Sequence, residues 1–103
     1  ILAANDGVIT AIGNDGQCTY GKWILIKHSN GLSTLYGHLS RQIVSSGGIV
    51  QKSDVIGLSG NTGYSTGSHL HFTVYASESI KLVSSRCGNI IPIGSSYNPM
   101  LYL

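Results

Sequence analysis

Short runs of hydrophobic and β-branched residues, separated by turn residues, dominate the pattern of this chain. Runs of this kind, rich in Val, Ile, Leu, Thr and Tyr, predict β-strands. No stretch of about 11 or more residues shows the periodicity of a helix. The predicted strands cover residues 8–12, 23–27, 32–38, 49–50, 55–58 and 69–75.

The step Asn30-Gly31 lies between two of these strands and predicts a hairpin, because both residue types tolerate positive φ. The segment 77–97 has weak patterning, and we expect a loop there with one strand around 80–83. The pattern as a whole predicts an all-β fold of about six to eight short strands, arranged as an antiparallel sandwich or partly open barrel.

The length of 103 residues predicts a single domain that spans residues 1–103. Hydrophobic residues make up 42% of the chain, which is enough for a core, and charged residues only 10%. The net charge of +2 comes from scattered basic residues and excludes an electrostatic footprint for nucleic acid. No apolar run approaches the roughly 20 residues that span a bilayer. Because the chain opens at Ile1 without a Met or a signal segment, we expect it to be truncated at its N-terminus.

Cys18 and Cys87 lie far apart and belong to no CxxC motif, so they do not predict a zinc finger. They either form a disulfide in an oxidising compartment or remain two free thiols. The separation of their Cα atoms decides between these alternatives, and the sequence does not reveal it.

His69 and His71 alternate along a predicted strand, so their side chains should share one face while Leu70 turns toward the core. Two such imidazoles could bind a metal or orient a metal-bound water. The alternative is a strand with ordinary polar residues on its solvent face. A third histidine favours the functional reading, because His38 ends an alternating run in which it should share a face with Tyr36.

The remaining candidates have structural interpretations. His28 follows a strand beside a turn and is expected to be a structural or surface residue. Asp6 and Asp15 stand in Asp-Gly turns, where a role in the turn is the default. No pair of carboxylates suggests glycoside hydrolysis, and the Gly-rich loop before His69 lacks the lysine of a phosphate-binding loop.

Several segments together resemble the lysostaphin-like (M23) zinc metallopeptidases, which cut peptides of bacterial peptidoglycan. The most specific of them contain Tyr-Gly-His-Leu and Ser-His-Leu-His-Phe. The resemblance covers residues 2–74 and touches the chain again at 98–103. The matching segments are 4–9, 20–28, 31–40, 48–57 and 60–72.

This resemblance implies an antiparallel β fold of the duplicated-hybrid-motif type, with one zinc ion held by two histidines and an aspartate. It maps one of these ligands to His71. It maps His69 and His38 to the histidines that flank the zinc-bound water and take part in catalysis. It also implies peptidoglycan peptides as the partner and the bacterial cell envelope or the extracellular space as the location.

Three features depart from the family pattern. The other two zinc ligands belong to an H-x-x-x-D motif upstream of the Ala-x-x-Asp-Gly segment, and the resemblance places that motif before Ile1. Asp6 matches the turn aspartate of that segment and not the metal ligand. Thr73 stands where the family often has an acidic residue, and the segment 77–97 is unlike the usual short ending.

We therefore expect the complete protein to be a zinc endopeptidase that hydrolyses cross-links or stem peptides of peptidoglycan. The alternative is a non-catalytic module of the same fold that binds the cell wall or activates an amidase. A biotinyl- or lipoyl-type carrier domain is disfavoured, because Lys52 is followed by Ser-Asp and a strand instead of lying at a hairpin tip.

Overall fold

A computed structural model of the protein describes residues 1–63 and 70–97. Within these residues the chain forms nine β-strands and one short 3-10 turn, Ser77–Ser79, and no α-helix. The strands are β1 Gly7–Asn14, β2 Lys22–Lys27, β3 Leu32–Gln42, β4 Ile49–Val50, β5 Gly57–Ser59, β6 His71–Ala76, β7 Lys81–Ser84, β8 Ile90–Ile93 and β9 Ser96–Tyr97. In the described part of the chain, no helix is long and apolar enough to cross a membrane.

Seven strands form one open antiparallel sheet in the order β4-β1-β2-β3-β6-β9, with β5 paired to β3. Strands β7 and β8 form a separate two-stranded hairpin. The prediction of an all-β antiparallel fold is thus confirmed, and the sheet does not close into a barrel.

The sheet is covered on both faces, because alternate residues of β2 belong to different cores. Ile24 and Ile26 pack in a cluster with Tyr36 and Leu39 of β3. Trp23 and Leu25 face the other way and pack with Leu35 and Tyr75. This two-sided burial explains why residues 23–26 of β2 form a continuous hydrophobic run instead of an alternating one.

The hairpin predicted at Asn30-Gly31 connects β2 to β3, which pair from Lys27 opposite Ser33 onward. Of the two turn residues only Gly31 adopts positive φ, at 80°. The side chain of Asn30 accepts a hydrogen bond from the backbone N–H of Leu32 instead. The turn therefore uses glycine for its conformation and asparagine for its hydrogen bond.

The prediction of a loop over 77–97 is wrong in part, because this segment holds the β7–β8 hairpin and β9. The strand predicted around 80–83 is confirmed as β7, Lys81–Ser84. Strands β8 and β9 were not predicted, and the hairpin lies outside the main sheet. The pairing of β7 with β8, with Leu82 opposite Pro92 and Ser84 opposite Ile90, is supported by contacts to residues far away in sequence.

One of those contacts is a disulfide between Cys18 and Cys87, which decides between the two alternatives left open by the sequence. The Cα atoms are 6.4 Å apart, within the range that a disulfide spans. The bond joins the turn after β1 to the tip of the β7–β8 hairpin across 69 positions of sequence.

Candidate active site

His71 is the first residue of β6 and lies opposite Gly37 of β3. The alternation along β6 places His71 and Thr73 on the same face as the buried Tyr75. The Nε2 atom of His71 lies 2.8 Å from the hydroxyl of Thr73. One ring nitrogen of this half-buried histidine is therefore oriented by its own strand.

His38 reaches this face through an irregularity in β3, where the register to β2 shifts between Lys22 and Ile24. His38 has a φ of 59°, which a non-glycine residue adopts at a cost and commonly at functional sites. Leu39 instead of His38 then joins the core cluster of Tyr36. The prediction that His38 shares a face with Tyr36 is thus wrong, because the irregularity reverses the alternation between them.

The irregularity brings the rings of His38 and His71 together, with centroids 5.8 Å apart and planes almost perpendicular at 84°. The Nδ1 atom of His38 lies 2.6 Å from the carbonyl oxygen of Thr62. Because a carbonyl oxygen only accepts, Nδ1–H is the donor. In neutral His38 the basic nitrogen is therefore Nε2.

His69 and the loop before it, residues 64–69, lie outside the described residues, so the shared face of His69 and His71 stays a prediction. Leu70 was expected to turn toward the core, but its side chain is 39% exposed. Strand β6 begins only at His71, and Leu70 thus lies before the sheet imposes its alternation.

Tyr20 is a site residue that the sequence did not single out. Its ring lies 5.4 Å from that of His71, and its carbonyl oxygen accepts a 2.6 Å hydrogen bond from the backbone N–H of His38. Burial raises the pKa of Tyr20 well above its usual range. The phenol is consequently neutral at any physiological pH.

Thr62 is the second residue that the sequence did not single out. Its hydroxyl donates to the carbonyl oxygen of Leu39 at 2.7 Å and accepts from the backbone N–H of Lys22 at 3.0 Å. Next to it the backbones of Gly21 and Gly63 are in direct contact, and both residues have positive φ. The glycines of this loop were visible in the sequence, but their contact with Gly21 was not.

The model of peptidase family M23 matches residues 1–82 of the chain, which is more than half of its length. The chain belongs to peptidase family M23. A relative, the DD-carboxypeptidase/endopeptidase Mpg of Neisseria meningitidis serogroup B, is 47% identical over 72 residues, which are 70% of this chain and 16% of that protein. The peptidoglycan DD-endopeptidase ShyA of Vibrio cholerae is 40% identical over 72 residues, with the same shares.

Among solved structures, the catalytic domain of lysostaphin from Staphylococcus simulans superposes with a TM-score of 0.76 at 28% identity. The match covers 99% of this chain and 68% of that domain. The M23 assignment thus confirms the resemblance and the fold that the sequence indicated. The matched part of the chain spans only 16% of the length of the two curated relatives.

The described residues of this M23 chain supply only part of the ligands that a zinc ion needs. His71 fits the requirements of one zinc ligand, because it is an imidazole with one nitrogen held by a hydroxyl of its own strand. No group of three or more His, Cys, Asp or Glu side chains comes together among the described residues. A stable zinc site needs about three protein ligands.

His28, the fourth histidine of the M23 chain, is structural as expected, but it is buried instead of lying at the surface. Its Nδ1–H donates to the carbonyl oxygen of Asp6 at 2.7 Å, and its Nε2 lies 2.8 Å from the hydroxyl of Thr34. That hydroxyl lies 2.7 Å from the hydroxyl of Tyr36, which accepts from the backbone N–H of Ala4 at 3.0 Å. The chain of hydrogen bonds fastens the segment Ala4–Asp6 to β2 and β3.

Asp15 is another residue with a larger role than its Asp-Gly turn indicated. Its side chain is completely buried, and the turn N–H of Gly16 is bound by Asn14 instead. Burial alone would raise the pKa of Asp15, but three side-chain hydrogen bonds and the charge of Arg86 outweigh it, so the pKa lies below its ordinary value of 3.8. The three donors are Ser85, Thr19 and Asn89, at 2.6, 2.5 and 3.2 Å.

The depressed pKa of Asp15 predicts an acid-sensitive attachment of the β7–β8 hairpin. The stability that the Asp15 carboxylate contributes should be complete above pH 3.8. It should be lost as pH falls through the lower pKa that Asp15 has in the folded state. Asp15→Asn should lower the free energy of unfolding at pH 7 by about 2 kcal/mol. Urea unfolding at pH 7 and pH 3 measures both effects. If the variant loses as much stability on acidification as the wild type does, Asp15 is not the group responsible.

Proposed function

We propose that this chain is part of a zinc-dependent endopeptidase that hydrolyses peptide bonds of bacterial peptidoglycan. The observation that carries the proposal is the placement of His38 beside His71 on one face of an M23 fold. The irregularity in β3 and the positive φ of His38 are costs that a purely structural histidine would not require. The names of the relatives, which include peptidoglycan DD-endopeptidases, give the substrate class.

His71 is the zinc ligand of this chain in our proposal. The contact of its Nε2 atom with the Thr73 hydroxyl is the kind of hydrogen bond that orients a metal-bound imidazole. The family pattern places the other two protein ligands in an H-x-x-x-D motif N-terminal to the Ala3–Ile9 segment. When bound, zinc lowers the pKa of a water ligand to about 7 and polarises the scissile carbonyl.

His38 acts as the proton carrier. Its Nδ1–H is committed to the carbonyl oxygen of Thr62, which leaves Nε2 as the atom that accepts a proton from the attacking water. That hydrogen bond also keeps the ring oriented during this step, since the Thr62 carbonyl accepts from Nδ1–H before and after Nε2 takes up the proton. His69 is proposed as the second histidine beside the water, where it would stabilise the developing oxyanion.

The substrate and its location follow from the same assignment. Peptidoglycan peptides lie outside the cytoplasmic membrane, so the protein acts in the bacterial cell envelope or outside the cell. The Cys18–Cys87 disulfide supports this location, because disulfides persist in oxidising compartments.

Digestion of purified peptidoglycan sacculi by a longer gene product that includes the upstream motif tests this function. We expect soluble peptide fragments to be released, the release to stop after treatment with a chelator, and zinc to restore it. Release that persists after complete metal removal would contradict the metallopeptidase assignment. Binding of sacculi without any release of fragments would favour the alternative of a non-catalytic module.

A further inference from the structure

The two histidines of the proposed site both contact Tyr20, on different parts of that residue. The carbonyl oxygen of Tyr20 accepts the backbone N–H of His38 at 2.6 Å, at the position where the chain adopts positive φ. The ring of Tyr20 lies 5.4 Å from the ring of His71, with an angle of 40° between the planes. A displacement of Tyr20 would therefore reach both histidines.

Gly37 leaves no room for such a displacement to be absorbed. A Cβ atom at this position would lie 3.2 Å from the Cβ of Tyr20 and 3.3 Å from the Cβ of His71. The two side chains thus pack against each other across a glycine of β3. Close packing of this kind transmits movements between neighbours instead of damping them.

The far end of Tyr20 is fastened to the β7–β8 hairpin. Its hydroxyl donates to the carbonyl oxygen of Pro92 at 3.1 Å and lies 3.2 Å from the hydroxyl of Tyr75, which must then be the donor of that second bond. The disulfide of Cys87 to Cys18 and the hydrogen bonds of the hairpin to Asp15 hold the beginning of the same loop. The hairpin therefore binds the loop 15–20 at three places.

We propose that Tyr20 is a positioning residue, held in place by the β7–β8 hairpin, that sets the placement of His38 relative to His71. The inference rests on the proposed roles of these two histidines. It also gives a function to the segment 83–93, which lies beyond the residues matched by the family model. The hairpin is then a support for the site instead of a surface appendage.

Tyr20→Phe tests the proposal, because it removes the hydroxyl and keeps the ring. Imidazole signals of His38 and His71 in long-range ¹H–¹⁵N NMR spectra of the 103-residue chain report the placement of both rings. We expect both sets of signals to shift in this variant. Tyr75→Phe should shift them less, because Tyr20 still donates to Pro92.

Tyr36→Phe is the matched control. Tyr36 is a buried tyrosine of the same sheet, its hydroxyl also bonds two partners, and its core lies on the opposite face. We expect a comparable loss of stability and unchanged signals of His38 and His71. Equal shifts in the control and in Tyr20→Phe would mean general loosening of the sheet and would overturn the proposal.

Unchanged imidazole signals in folded Tyr20→Phe would overturn the proposal as well. If Tyr20→Phe does not fold, unchanged signals in folded Tyr75→Phe would overturn it. In an active longer gene product, Tyr20→Phe should lower kcat by about tenfold with little change in KM, as loss of an orienting partner does. A wild-type protein without activity would refute the proposed function, but it would leave the NMR result to decide the role of Tyr20.

Discussion

His38→Ala is expected to retain zinc and to lose about 10²–10⁴-fold in the turnover of peptidoglycan peptides. The variant removes the Nε2 atom that accepts the proton of the attacking water, whereas the side chain that we assign to the metal is untouched. Release of fragments from sacculi measures turnover, and elemental analysis of the same sample measures zinc. Loss of zinc together with activity would contradict the proposed division of roles.

His28→Gln is the matched control, since His28 is the buried histidine that holds Ala4–Asp6 on the opposite side of β3. His28→Gln should lower the free energy of unfolding, and the turnover per folded molecule should change little. His69→Ala should resemble His38→Ala. Retention of activity when His38 and His69 are both replaced by alanine would refute their assignment as catalytic residues.

Replacement of both Cys18 and Cys87 by serine is expected to lower the free energy of unfolding by about 4 kcal/mol. The disulfide joins residues 69 positions apart, and the entropy that it removes from the unfolded chain grows with the length of the closed loop. For a domain of this size, 4 kcal/mol is a large part of its whole stability. Urea unfolding of the variant and of the wild type at the same pH measures the difference.

Reduction of the wild type with dithiothreitol should give the same loss without a mutation, and dithiothreitol should not change the serine variant. A loss below about 1 kcal/mol in both experiments would show that the hydrogen bonds of Asp15 hold the hairpin without help from the disulfide.

The central strands were predictable because buried strands consist mainly of hydrophobic residues. Residues 23–26 form a continuous hydrophobic run, and the structure buries them on the two faces of the sheet. The turn at Asn30-Gly31 was equally visible, since only a few residue types suit such a turn. The family assignment rested on residues of this kind and was confirmed.

Of the β7–β8 hairpin only β7 was predicted, as the strand around 80–83, because the hairpin as a whole is held by distant residues. Cys18, Asp15 and Tyr20 each bind it across about 70 positions of sequence. The face of His38 was missed for a related reason. The prediction assumed a strict alternation along β3. The irregularity opposite Trp23 arises only from the pairing of β2 with β3, and the hydrogen bond from the backbone N–H of His38 to Tyr20 accompanies it.

The zinc content of a longer gene product, compared with that of its His71→Ala variant, tests the central claim most directly. We expect about one zinc ion per chain in the wild type and none in the variant. An unchanged zinc content in folded His71→Ala would contradict the claim, because His71 would then not be a ligand of the metal.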